Sequence, residues 1–324
     1  FFLVLSPKVA EYWFHEDQRA LANVLSFIAN PLGVALGSII PTVMIDATQV
    51  EKDSTHFLKL SCVLATVPLI AFIMCLLIKS SLPPSAPSAS SSADHSSPNF
   101  ISGLHTLISN HDFIIIMIVF ASSFAQLWSV FVASDKLLTE LGYQESISAY
   151  MICVTCVVGV IASLLAGSYV DKTKRFKEVL RFCMIGFFFT AIAFIIMTQW
   201  KSNHIISVFI MFIIHALMGL FSIPVFPIGI EIGIEATFPI QEATSSGILV
   251  ISGQLLLFIV ILIMKIARRM FVPQGVDNFI LANSLWCFLS GIGAVVSVLL
   301  LHPPYKRVEF ERQTVKESIN GNVS

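Results

Sequence analysis

Carboxamide side chains are uncommon inside the long apolar runs of the sequence, and two of them are candidates for a functional site. Asn30 precedes Pro31 in the first of these runs, and Gln254 lies in the seventh. An unpartnered amide in an apolar medium costs several kcal/mol, so each side chain must face the interior of a helix bundle. We expect Asn30 and Gln254 either to contact a ligand or to bond a neighbouring helix.

Aromatic side chains form a stripe in the run from 113 to 133. Phe120, Phe124 and Trp128 recur every four positions, which places them on one face of a helix. Such a stripe attracts a quaternary amine through cation–π contacts, and it serves equally well as packed core. Phe120 and Trp128 are therefore candidates for the same ligand site.

One dense run of charge, GSYVDKTKRFKE from Gly167 to Glu178, follows the fourth apolar run. Gly167 ends a stripe of small residues that lets another helix approach closely. Asp171 follows one turn later, and Lys172 and Arg175 lie beyond it. A carboxylate at that point can cap a helix N-terminus or pair with an arginine, and so latch two bundles together. A solvated, positively charged loop is the competing interpretation.

Three acidic residues, Glu231, Glu235 and Glu242, follow the proline-bearing sixth run without a basic neighbour. Glu231 and Glu235 lie one helical turn apart, where like charges repel. We expect them either to pair with the basic residues between Lys172 and Arg175 or to stay hydrated at the membrane surface.

Enzyme and metal chemistry find no support in the sequence. There is no Gly-rich phosphate cradle, no H-E-x-x-H and no G-x-S-x-G. The six cysteines all lie in apolar runs, where a thiol behaves as a small buried hydrophobe. We therefore expect neither an enzyme, nor a bound cofactor, nor a metal site.

Composition decides the class of protein that must position these residues. Hydrophobic residues make up 56% of the 324 positions, charged residues only 12%, and the mean hydropathy is +0.85. This is more apolar surface than a soluble core can bury, so the sequence predicts an all-α, multi-pass membrane protein. The formal net charge of -1 offers no basic excess, and no nucleic acid is expected as a partner.

Eight apolar runs are long enough to cross a bilayer as helices, which takes about 20 residues each. They cover residues 20–45, 57–78, 113–133, 146–170, 182–200, 205–228, 245–264 and 279–301. A shorter apolar piece, 1–14, is interrupted by Pro7 and Lys8 and resembles the end of a further span. Lys and Arg residues are more numerous on the side that holds the loop 171–181 and the C-terminal tail, which the positive-inside rule makes cytoplasmic.

A Ser/Pro/Ala tract from Ser80 to Pro98 divides the chain and predicts a flexible linker. Two complete spans precede it and six follow, which suggests a two-half protein whose first half is shortened at its N-terminus. A faint internal repeat agrees, since a shift of 224 positions lays the segment EYWF on EATF. Parallel repeats of this kind build one large class of transporters.

The charged run also suggests a family. GSYVDKTKR resembles the loop motif G-x-x-x-D-[RK]-x-[GK]-[RK] of the major facilitator superfamily, which joins the second and third helices of each six-helix half. More narrowly, the sequence is similar to the feline leukaemia virus subgroup C receptor-related family, solute carrier family 49. The segments that carry this likeness are WFHEDQRALANVLSFIANPLGVALGSIIP, GSYVDKTKRFKE and PVFPIGIEIGIEATFPIQEATSSGILVISGQ.

The resemblance implies the transporter fold of the major facilitator superfamily, N-terminally truncated so that the chain begins late in the fourth of twelve helices. On that alignment, four parts follow one another along the sequence. They are the remnant of the N-terminal six-helix bundle (1–79), a cytoplasmic linker (80–112), the C-terminal six-helix bundle (113–301) and a cytoplasmic tail (302–324).

The resemblance also implies a function, the alternating-access transport of a small organic solute. Family members are described as carriers of choline and ethanolamine, with haem export also proposed, and another member as a vitamin B6 exporter. Gln254 matches a pocket glutamine of the eleventh helix, and Phe120 or Trp128 matches a seventh-helix aromatic. A fifth-helix glutamine of the family falls at Pro31 here, so this polar anchor is lost unless Asn30 replaces it.

The expected partners are thus the small organic solute and the lipid bilayer. A monomer is favoured, and the plasma membrane is the favoured location. Two other interpretations stay open. One is a receptor or regulatory protein that uses the transporter fold without transport, and the other is a truncated isoform without activity.

Overall fold

The computed structural model describes residues 2–15, 17–45, 55–80, 83, 85, 100–199, 205–271 and 279–321. Twelve helices account for most of these residues, and no strand occurs among them. The helices are α1 (Phe2–Trp13), α2 (Arg19–Met44), α3 (Thr55–Leu76), α4 (Phe100–Ser109), α5 (His111–Glu140), α6 (Glu145–Thr173), α7 (Phe176–Gln199), α8 (Ile205–Ser222), α9 (Val225–Thr237), α10 (Glu242–Phe271), α11 (Phe279–Leu299) and α12 (Lys306–Gly321).

Seven helical segments of the described chain are long and apolar enough to cross a membrane. They are Arg19–Met44, Thr55–Leu76, His111–Val132, Ser146–Thr173, Phe176–Gln199, Ile205–Thr237 and Glu242–Ile266. The eighth expected span is present as the shorter apolar helix Asn283–Leu299 within α11. The prediction of an all-α, multi-pass membrane protein is confirmed.

The sixth span is divided where the chain meets its prolines. α8 ends at Ser222 and α9 begins at Val225, with Pro224 at the start of α9. Proline has no amide hydrogen to donate to the preceding turn, so the helical bonding pattern is interrupted here. Every residue of α9 is buried, including both of its glutamates.

Glycines allow α6 and α8 to approach closely. A Cβ atom on Gly219 would overlap the carbonyl oxygen of Thr155, and one on Gly159 would lie 2.8 Å from the carbonyl oxygen of Gly219. Small residues at such crossings bring two backbones together, which is a common form of helix packing in membranes. The stripe of small residues on α6 is therefore a packing surface at its Gly159 end.

The N-terminal helices join the rest of the molecule mainly through α2. This helix packs along α6 and also contacts α1 and α9. α3, by contrast, carries no buried residue although its composition is strongly apolar. A helix of this kind requires lipid or another apolar partner around it.

Two shorter helices lie outside the predicted spans. α4 falls in the expected linker, and its Leu107 is fully buried. α12 falls in the expected tail and buries Arg307 and Glu311. Most of the Ser80–Pro98 tract lies outside the described residues, and the division of the chain into four parts stays a prediction.

Candidate functional site

The first residues of α2 are bound by a carboxylate from a distant helix. Asp171 accepts hydrogen bonds from the backbone N–H groups of Ala20, at 3.0 Å, and Leu21, at 2.8 Å, through its two oxygens. These N–H groups have no acceptor within their own helix, and the positive end of the helix dipole favours a negative charge there. Asp171 is buried, with 7% of its surface exposed. It thus caps a helix that lies 150 positions earlier in the chain.

Gly167 lies one turn before Asp171, at the contact between α6 and α2. A Cβ atom on Gly167 would lie 2.8 Å from Cγ2 of Val24, a contact too close for a side chain in this arrangement. The carbonyl oxygen of Ala20 would be 3.6 Å away. The glycine therefore lets α2 come near enough for Asp171 to reach its first turn.

The basic residues of the loop are placed unequally. Lys172 and Arg175 are exposed. Lys174 adopts a left-handed backbone conformation at the end of α6, with φ of 54°, and its Nζ lies 3.3 Å from Oδ1 of Asp17. The basic residue that contacts the N-terminal segment is thus Lys174, and not Lys172 or Arg175.

Three glutamates converge on one arginine of α12. Arg307 donates through Nε to Glu235 at 2.8 Å, through Nη1 to Glu242 at 2.6 Å and through Nη2 to Glu231. All four side chains are buried. Burial alone would lower the pKa of the Arg307 guanidinium, but the three carboxylates outweigh it and hold that pKa well above its ordinary value. Arg307 is therefore permanently charged.

This cluster overturns the expectation for the acidic residues of α9. Glu231 and Glu235 neither pair with the basic loop nor lie hydrated at the surface. Their partner comes from the C-terminal segment, which folds back as α12 and places Arg307 over α9. Two neighbouring like charges in a buried helix need a counter-charge. That requirement is the signal in the sequence that could have indicated a basic partner elsewhere in the chain.

A second buried ion pair connects α2 to α12. Arg19 Nη1 lies 3.0 Å from Oε1 of Glu311, and both side chains are almost fully buried. Asn23, one turn along α2, donates from Nδ2 to Oε2 of Glu231. The first turns of α2 therefore contact α6, α9 and α12 through polar groups.

A cavity of about 440 Å³ lies between α1, α2 and α9. Its polar lining includes Ser6, Asn23 and Asn30, and its aromatic lining consists of Phe27 and Phe226. The two phenylalanine rings stack with centroids 4.1 Å apart and an interplanar angle of 11°. A volume of this size, with a few convergent polar groups on an apolar wall, is typical of small-molecule sites.

The aromatic stripe of α5 lies behind this cavity. Phe120 is buried and its ring centroid is 5.3 Å from that of Phe226. Phe124 continues the row toward the half-buried Trp128, at a centroid distance of 5.8 Å. Neither Phe120 nor Trp128 is in the cavity lining, so the stripe reaches the cavity through Phe226.

Gln254 is exposed on α10 and does not line this cavity, so within the described part of the chain the expectation that its amide faces the interior of the helix bundle is wrong. Its neighbour Gly253 packs on Phe124, since a Cβ there would lie 2.9 Å from that ring. Gln254 follows Gly247 by two turns on one helix face, and a Cβ on Gly247 would lie 4.0 Å from Val4 of α1. Gln254 thus lies on the side of α10 that faces α1, whereas Asn30 lies in the cavity wall.

The sequence model of the Major Facilitator Superfamily matches residues 1–261, and the chain belongs to that superfamily. Its relatives include Solute carrier family 49 member A3 of Xenopus tropicalis, with 29% identity over 98% of this chain, and the protein of the same name in Danio rerio, with 28% over 97%. Choline/ethanolamine transporter FLVCR2 of Homo sapiens is 22% identical over 98%. The chain covers 66%, 66% and 60% of their respective lengths. The resemblance to solute carrier family 49 is confirmed.

Proposed function

We propose that this protein is an alternating-access carrier for a small organic solute. In this mechanism, helices on either side of a central site rock so that the site opens to one face of the membrane at a time. The cavity between α1, α2 and α9 is the solute site on the cytoplasmic half of that path. Asn30 and the exposed Gln254 contact the solute at different stages of its passage.

The observation that carries the proposal is the cap of Asp171 on α2. A carboxylate with two backbone N–H partners on another helix stabilises one arrangement of the two sets of helices, and it releases both bonds when they separate. Gly167 provides the close contact, and Asp171 with Lys174 provides the charge. Lys172 and Arg175, both exposed, give the surrounding loop its positive potential.

Amines of the choline and ethanolamine type are the first solutes to test. Relatives of this chain are named choline/ethanolamine transporters, and the stacked rings of Phe27 and Phe226 offer faces that attract an alkylammonium group. The amide groups of Asn23 and Asn30 provide acceptors for a hydroxyl or ammonium hydrogen. Pyridoxine and haem are included because the wider family suggests them.

Uptake into cells that express the protein tests the proposal directly. Labelled choline, ethanolamine, pyridoxine and haem are offered one at a time, and we expect saturable uptake of at least one. The matched variant is Asn30→Asp, which keeps the size of the side chain, adds a negative charge to the half-buried cavity wall and should change uptake. Absence of uptake for all four solutes would overturn this choice of substrates.

Accessibility separates a carrier from a static receptor. Asn30→Cys, in a background without the six native cysteines, is exposed to a membrane-impermeant thiol reagent from each side in turn. A carrier exposes this position to both sides during its cycle, whereas a receptor exposes it to one. Labelling from a single side under all conditions would contradict alternating access.

A further inference from the structure

One buried carboxylate oxygen in the Arg307 cluster has no hydrogen-bond donor among the described residues. Glu231 uses its second oxygen to accept from Asn23, and Glu235 uses its second oxygen to accept from the backbone N–H of Val308 at 3.2 Å. Glu242 accepts from Arg307 through Oε1 alone, and its Oε2 is buried without a partner among the described residues. Only 7% of the surface of Glu242 is exposed.

The charges around this oxygen do not balance. Three carboxylates share one guanidinium, so the cluster has two negative charges in excess when all three are ionised. Among the described residues, the other charged or titratable groups that act on this cluster come from neighbouring segments and are Glu11, Tyr12, Arg19, Asp171, Tyr305 and Glu311. Arg19 is already paired with Glu311, so it does not offset the excess.

The location of Glu242 partly favours an anion, because this residue begins α10 and lies at the positive end of the helix dipole. That interaction is worth at most about 2 kcal/mol. An incompletely paired charge in a protein interior costs several kcal/mol, which is larger. A neutral carboxyl group leaves only a hydroxyl without an acceptor, at a cost of about 1–3 kcal/mol. The neutral form is therefore the more stable one in this arrangement.

We propose that Glu242 is a proton-binding site, with the proton on Oε2 in the conformation described. The proton leaves when α12 moves away from α9 and α10, because water then reaches the carboxyl group. In that step the O–H bond breaks, its electron pair stays on Oε2, and the proton passes to water. The linkage of this proton to solute movement rests on the carrier function proposed above, whereas the proton site itself does not.

The structure also indicates why the proton belongs on Glu242 and not on its neighbours. Protonation of Glu231 would lose the acceptor of Asn23, and protonation of Glu235 would lose the acceptor of the Val308 amide. Both oxygens already have a donor that favours the ionised form. Glu242 is the member of the cluster that loses no bond when its second oxygen takes a hydrogen.

Infrared spectroscopy of the purified full chain tests the proton site. We expect the carbonyl stretch of a protonated carboxyl group at neutral pH, shifted in heavy water and lost in Glu242→Gln. The control is Glu178→Gln, which removes an exposed carboxylate and should leave the band unchanged. A parent protein without the band, or a band that persists in Glu242→Gln, would overturn the proposal.

Folding of the variant provides a second measurement. Gln has the shape of a protonated Glu and keeps an oxygen that can accept from Arg307, so Glu242→Gln should melt within a few degrees of the parent. A misfolded Glu242→Gln would contradict the proposal, because the anion would then be required for the structure.

Linkage to transport is measured separately in vesicles that contain the protein and a pH-sensitive dye. We expect solute entry to move protons in the parent, and solute entry without proton movement in Glu242→Gln. Equal proton movement in both would overturn the linkage. If the parent moves no solute, the carrier function fails while the infrared result still decides the proton site.

Discussion

At the scale of single residues, Asp171 is the side chain whose replacement tests the latch most directly. Asparagine keeps one acceptor oxygen and loses both the charge and the second acceptor. Hydrogen bonds to a charged group contribute about 1.5–3 kcal/mol, and a loss of about 1.4 kcal/mol changes a ratio of populations tenfold. We expect Asp171→Asn to raise the population of the cytoplasm-open state about tenfold without lowering expression.

Thiol labelling measures this change. Val24 is fully buried against Gly167, so Val24→Cys in a background without native cysteines reacts with a cytoplasmic reagent only when α2 and α6 separate. Glu178→Gln is the matched control, because it removes an exposed carboxylate of the same charged run. Equal labelling rates in Asp171→Asn and its parent would show that the carboxylate does not stabilise the closed state and only helps to orient the chain in the membrane.

Gly167 makes a steric prediction that is independent of charge. Gly167→Ala places a methyl group against Val24, and overpacking of this kind costs about 1–3 kcal/mol. We expect a lower melting temperature in detergent for Gly167→Ala and its recovery in the pair Gly167→Ala with Val24→Ala. Gly37→Ala is the control, since a Cβ there meets no atom within 4 Å. A melting temperature that the second change does not restore would contradict the contact.

Replacement of Gln254 distinguishes a role in ligand contact from a role in helix packing. Its side chain is exposed, so Gln254→Ala removes no buried hydrogen bond and should leave the folded yield unchanged. If the side chain contacts the solute, the variant raises the solute concentration at half-maximal uptake about tenfold, which corresponds to a loss of about 1.4 kcal/mol of binding free energy. Ser252→Ala, two positions earlier on the same helix, is the control. A loss of yield with unchanged affinity would instead assign Gln254 to packing.

Residue types and spacing alone predict part of the candidate site. The charged run predicts an acid able to cap a helix, and Asp171 does so, because its distance from Gly167 is fixed by one helical turn. Sequence spacing says nothing about which helix end arrives there, since the partner lies 150 positions earlier. The same holds for Phe120. The aromatic stripe is evident in the sequence, but only the structure shows that Phe120 packs against Phe226 on the side away from the cavity.

At the scale of helices, α12 is the element that holds the acidic cluster together. Arg307→Gln removes the single cation shared by three buried carboxylates, and a broken buried pair costs about 3–5 kcal/mol. We expect poor folded yield and a clearly lower melting temperature. The neighbouring exposed Lys306 gives the control Lys306→Gln, which should melt like the parent. An Arg307→Gln protein as stable as its control would mean that α12 does not hold the glutamates.

The sequence predicts the spans well and α12 poorly, for a physical reason. A membrane span is recognised by its length and apolar composition, which need no partner. The segment 306–321 is polar, and its fold depends on Arg307 reaching glutamates 65 to 76 positions away. Interactions between distant charges leave no periodic signal in the sequence, so the sequence predicts only a cytoplasmic tail for this segment.

At the scale of the whole molecule, α2 is held at its N-terminus from two directions. Asp171 of α6 binds the backbone of Ala20 and Leu21, and Glu311 of α12 binds the side chain of Arg19. Both contacts stabilise the same arrangement of helices. Their free energies should therefore act on one equilibrium between a cytoplasm-closed and a cytoplasm-open state.

Independent contributions to one equilibrium add as free energies and multiply as populations. If Asp171→Asn and Glu311→Gln each raise the open population about tenfold, the double variant should raise it about a hundredfold, or to saturation. Cytoplasmic labelling of Val24→Cys measures all three variants on one scale. Glu178→Gln with Glu309→Gln removes two exposed acids and should label like the parent. A double variant that labels no faster than the more reactive single variant would show that only one of the two contacts opens with the cytoplasmic side.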